Sequence, residues 1–118
     1  MVLSSPYQRC RQTVEPLADA RGLSVADEPL LARGATAAEL LPLLLALADG
    51  GAALCSHGEV ISLVVASLVE DGIIRRSQAR CEKGSTWLLE ASRGRISGAS
   101  YLPPDPGWRS SARASRGA

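Results

Sequence analysis

Apolar and polar positions alternate in short blocks along the chain, and the spacing within each block predicts an element. Met1 to Ser4 reads as the end of a strand. Ser5-Pro6-Tyr7-Gln8 then resembles a helix start, with Ser5 as N-cap, Pro6 at the first helical position and Gln8 closing a capping box. Cys10, Val14, Leu17 and Ala18 fall on one face of that helix. It stops at Arg21-Gly22, and Pro16 inside it predicts a bend or a split. Leu23 to Leu31 predicts one short strand followed by a loop. Thr36-Ala37-Ala38-Glu39 is a second capping box, opening a Leu-rich helix that ends at Asp49-Gly50-Gly51. Ala52 to Cys55 is the next strand. Glu59 to Asp71 is apolar at most positions, and its length favours a buried helix, which Gly72 ends. Ser85 to Ala91 and Arg95 to Leu102 read as strands joined by a turn at Ser92-Arg93-Gly94.

The resulting order, β-α-β-α-β-α-β-β, predicts an α/β fold: a layered, mostly parallel sheet with helices on both faces. Residues 1–102 form one domain in this reading. Residues 103–118 are rich in Pro, Gly, Ser and Arg and predict a disordered tail.

Composition narrows the function classes. The chain has 118 residues, enough for a single modest core. It contains no Phe and only 3% aromatics, so that core must be aliphatic. A net charge of +1 argues against nucleic acid or membrane as a partner chosen by bulk electrostatics. The most apolar run, Leu40 to Ala48, is shorter than the roughly 20 residues of a spanning helix and is interrupted by Pro42. Cys10, Cys55 and Cys81 are odd in number and show no metal-ligand spacing, so the expectation is buried, reduced thiols in a cytoplasmic protein and no bound metal.

Two strand ends carry candidate chemistry. Arg9 follows the first strand, where free N–H groups and the positive end of a helix dipole favour an anion. A guanidinium there adds a fork that matches phosphate oxygens. His57, the single histidine of the chain, holds the equivalent place after the Ala52–Cys55 strand, ahead of another helix. If the two strands are neighbours, Arg9 and His57 converge on one crevice suited to a phosphoryl group.

SSPYQRCRQTVEPLA together with LCSHGEVI resembles the histidine phosphatase superfamily. The family's S-x-x-R-x-x-Q-T motif corresponds to Ser5 through Thr13, with a difference of register around Arg9, and its S-H-G motif to Ser56-His57-Gly58. Lys83-Gly84-Ser85 and the final strand leading into Tyr101-Leu102-Pro103-Pro104 look like the version fused behind a Nudix hydrolase domain in actinobacteria. The resemblance covers about residues 2 to 104.

It implies hydrolysis of phosphomonoesters or phosphohistidine through a phosphohistidine intermediate, with no cofactor. The ligand would be a phosphorylated small molecule or a phosphohistidine protein, and the complete protein would carry an N-terminal Nudix domain. By resemblance, Arg9 and His57 bind the phosphoryl group and His57 is the second, catalytic histidine of the pocket. The family's nucleophile lies in an R-H-G motif on a first, central strand, and this sequence contains no R-H-G. The resemblance therefore implies a partial domain without turnover, lacking that strand. Related sequences place the acid that protonates the leaving group near Leu30 to Gly34, where this chain has Arg33. Asp27, Glu28 and Glu39 lie nearby but read more simply as loop charges or caps, and Glu59 suits a helix N-terminus. The competing expectation is a non-catalytic module that binds a phosphorylated ligand or a partner protein.

Overall fold

A computed structural model describes residues 1–104. The expectation for residues 103–118 falls, from Asp105 onward, outside the described residues. Five strands and three α-helices follow in the order β1 (Val2–Ser4), α1 (Gln8–Ala20), β2 (Val25–Asp27), α2 (Ala37–Ala48), β3 (Ala53–Cys55), α3 (Gly58–Glu70), β4 (Thr86–Ser92) and β5 (Arg95–Leu102). Short 3-10 turns occupy Pro29–Leu31 and Arg76–Gln78. The fold is α/β, as the alternation of blocks predicts.

Strands β1, β2 and β3 form a parallel sheet in the order β2-β1-β3, so the first strand is the central one. Its three residues are buried, as a strand covered on both faces must be. The pleat divides them. Val2 packs with Val14 and Ala18 of α1 on one face. Leu3 packs with Leu31, Leu40 of α2 and Val60 of α3 on the other. Helices therefore cover both faces of the sheet.

The hairpin β4–β5 is a separate antiparallel sheet, a departure from a single layered sheet. Helix α3 joins the two units. Its Val60 and Val64 face the parallel sheet. Ile61, Val65, Leu68 and Val69 meet Ile74 and the inward hairpin residues Trp87, Leu89, Ile96 and Ala99. Two buried faces explain why this helix is apolar at most of its positions. The hairpin turn has Arg93 at φ 56° and Gly94 at φ 76°, the pair of positive angles that matches strand twist in a two-residue loop.

Several local expectations need correction. Helix α1 begins at Gln8 with Tyr7 as N-cap, so Ser5 does not cap it and no Ser5–Gln8 capping box forms. The cause is tertiary. The N–H of Ser5 donates to the carbonyl of Cys55 (2.9 Å), which keeps the chain extended past the end of β1. Helix α1 also runs unbroken through Pro16, because one missing N–H is offset by the packing of Val14 and Ala18 on the sheet. The capping box of α2 forms as read, with Thr36 and Glu39 each accepting from the other's backbone N–H. Cys10 is buried, but Cys55 is only half-buried and Cys81 is exposed. Among the described residues, no helix is long and apolar enough to cross a membrane.

Candidate anion site at the ends of β1 and β3

Strands β1 and β3 lie side by side and parallel, with Ser4 opposite Cys55. The segments that leave them, Ser5–Tyr7 and Ser56–His57, therefore emerge at the same edge of the sheet. Open α/β sheets bind ligands at this end of their strands. The Ser5 hydroxyl and Nε2 of His57 are hydrogen-bonded at 2.9 Å. The hydroxyl donates while Nε2 is unprotonated and accepts once it carries the proton. Ser5 is fully buried, so this bond fixes the imidazole to the rigid sheet. Tyr7 packs edge-on against the His57 ring, with centroids 4.8 Å apart. The Cys10 thiol lies 4.0 Å from Nε2.

Two helices start here and neither has a side-chain cap. Tyr7 is the N-cap of α1 and His57 that of α3, and neither side chain bonds a backbone N–H of the first turn. The carbonyl of Tyr7 takes up the N–H groups of Cys10 and Arg11, and that of His57 those of Val60 and Ile61. The N–H groups of Gln8, Arg9, Gly58 and Glu59 thus have no intrahelical partner. Helix α2, which starts elsewhere, carries a side-chain capping box. Two uncapped, positively polarised helix ends at one edge of the sheet attract an anion.

Charge at the site is mixed. His57 is held below its ordinary value, first by desolvation and then by the positive charge of Arg33, with Arg9 acting in the same direction and Glu59 against both. Behind the imidazole, burial pushes the Cys55 thiol up to about 11, and the neighbouring Cys10 adds to the effect. At neutral pH Cys55 is a protonated thiol.

The structure brings Arg9 and His57 to the same sheet edge from adjacent strands. It gives each candidate acid another partner. Asp27 pairs with Arg11, Glu28 accepts the N–H of Leu30 (3.0 Å), and Glu39 is held in the α2 cap. Glu59 pairs with Arg33 at 3.1 Å. Among the described residues, no group of three His, Cys, Asp or Glu side chains could hold a metal ion.

Sequence reasoning missed three contributors. The sequence reads Ser5 as a helix cap, whereas the fold gives its hydroxyl to His57. Tyr7 and Cys10 gave no signal, because a contact across 47 or 50 positions depends on which strands become neighbours.

No protein-family model matches the chain. The chain is 39% identical over 103 residues to the 8-oxo-(d)GTP phosphatase of Mycolicibacterium smegmatis, in an alignment covering 82% of this chain and 32% of that protein. It spans about a third of the length of that relative. Over most of its length, this α/β chain is similar to part of a nucleotide phosphatase.

Proposed function

We propose that the chain carries part of the phosphoryl-binding pocket of a histidine phosphatase-type phosphohydrolase, with Arg9 and His57 as its phosphate-binding residues. The observation behind this reading is the Ser5–His57 bond of 2.9 Å between two uncapped helix N-termini on neighbouring parallel strands. An anion held there would take N–H groups from α1 and α3 and the guanidinium of Arg9. It would also accept a hydrogen bond from the imidazole, whose Nε2 is already engaged by Ser5. The similarity to an 8-oxo-(d)GTP phosphatase supports a phosphorylated small molecule, and a nucleotide in particular, as ligand of the complete protein. The version fused to a Nudix domain is consistent with a relative about three times as long as the aligned segment.

Turnover through a phosphohistidine needs a histidine that attacks phosphorus and a separate group that stabilises the transferred phosphoryl oxygens. The chain has one histidine, and its bond to Ser5 between two helix starts supports the stabilising role for it. The 118-residue chain should therefore bind phosphate or vanadate without hydrolysing an aryl phosphate. Calorimetric titration with vanadate and a colorimetric hydrolysis assay test both halves. Binding lost in Arg9→Ala and His57→Ala supports the reading. Hydrolysis above background that His57→Ala abolishes would overturn it, since His57 would then be the nucleophile.

A second reading, a non-catalytic module that docks a partner protein, is favoured by one feature. Strand β3 has no strand partner on its outer side among the described residues, and such an edge can pair with another chain. Anion binding with no effect of partner strands on stability would leave the first reading standing alone.

A further inference from the structure

Arg33 occupies a more deliberate position than a surface charge requires. The segment before it is anchored at three points. Leu31 is buried in the core with Leu3, Leu40 and Val60. The Ser56 hydroxyl donates to the carbonyl of Leu31, tying this segment to the turn that carries His57. The carboxylate of Glu28 accepts the N–H of Leu30 at 3.0 Å. Two residues beyond Leu31, the Arg33 guanidinium reaches the first turn of α3 and meets Glu59 at 3.1 Å.

That ion pair is exposed, with about half or more of each side chain in solvent (54% and 71%). Such exposed pairs add little to stability, so folding does not depend on it and a stronger anion can displace the carboxylate. Arg9 lies on α1 between Tyr7 and Cys10, which both touch His57, and Arg33 comes from the loop before α2 to meet Glu59, two residues past His57, so the two cations approach the site from different elements. The three other acids nearby are occupied by Arg11, by a backbone N–H and by the α2 cap.

A single phosphoryl group is already provided for by His57, Arg9 and the free N–H groups. Arg33 sits beside them on a separate, anchored loop. We infer that the site accepts two adjoining phosphoryl groups, one at His57 and Arg9 and the next on Arg33 once it leaves Glu59. The ligand class is a pyrophosphate or its ester, such as a nucleoside di- or triphosphate. The inference rests on the phosphoryl-pocket reading above. A guanidinium suits this task because its planar fork takes two phosphate oxygens at once.

The test compares inorganic phosphate with inorganic pyrophosphate on the 118-residue chain, by calorimetry at constant ionic strength and pH 7.5. Pyrophosphate should bind at least about tenfold more tightly. Arg33→Gln should bring the two affinities to within about twofold of each other, and Arg33→Lys should restore only part of the preference. Glu59→Gln should strengthen pyrophosphate binding, because no carboxylate then competes for Arg33. Circular dichroism checks that each variant is folded, and Arg80→Gln, on a different loop, should leave the preference intact. Phosphate binding with no preference for pyrophosphate would overturn this inference alone. So would a preference that Arg33→Gln does not reduce. Failure to bind either anion would remove the pocket reading and this inference with it.

Discussion

Replacing Ser5 by alanine separates the role of its hydroxyl at the site from its role in the core. Ser5 is completely buried, and its Oγ bonds His57 Nε2 at 2.9 Å while receiving the N–H of Tyr7 at a long 3.5 Å. Alanine keeps the Cβ and removes one oxygen, so no cavity of consequence opens. The loss is one good hydrogen bond, about 1 kcal/mol. The larger penalty for an orphaned buried group does not apply, because the half-buried imidazole can turn to water. For a domain of this size, about 1 kcal/mol lowers Tm by roughly 4–8 °C. Unpinning the imidazole adds an ordering cost of about 0.5–1.5 kcal/mol when an anion binds, or roughly a two- to tenfold weaker affinity. Ser4 is the control. It is equally buried, but its hydroxyl bonds only the adjacent Ser5 carbonyl, at 2.8 Å. Ser4→Ala should therefore lower Tm comparably and leave anion affinity unchanged. Differential scanning fluorimetry and sulfate titration of both variants measure the two effects. Equal losses of affinity, or none in Ser5→Ala, would refute the claim that Ser5 holds His57 for binding.

Three further outcomes follow from the structure. Leu68 is 1% exposed and joins α3 to the hairpin through Val65, Ile74 and Trp87, so Leu68→Ala should cost about 2–5 kcal/mol in urea unfolding; a change below about 0.5 kcal/mol would mean the hairpin does not pack on α3. The folded-state pKa of His57 lies below its unfolded value, so its contribution to stability is present above pH 6.5 and is lost as pH falls through the depressed folded value. The stability of His57→Gln should accordingly fall less over that acidic window. Sulfate, whose charge is constant there, should bind the wild-type chain more tightly as pH falls and His57→Gln with no such trend; parallel pH profiles for the two proteins would contradict the assignment of His57 to the anion.

Features governed by neighbours in sequence were legible without coordinates. The α2 capping box is closed by residues three positions apart, and the Arg93-Gly94 turn needs only two positive φ angles. The order of strands and helices followed from hydrophobic spacing in the same way, since pleat and helix pitch act within one element. Arg9 and His57 were recognisable as candidates because each sits just after a strand. That the two helix starts share one sheet edge was not. It depends on β3 adding beside β1, about 50 residues away, rather than on the far side of β2. That pairing extends the chain through Ser5, moves the start of α1 to Gln8 and turns an apparent cap into the partner of His57. Arg33 reaches the same place only because Leu31 is buried and Ser56 holds its carbonyl. Local chemistry thus set which groups could act, whereas long-range strand pairing and burial, which have no periodic trace in the sequence, decided which of them stand together.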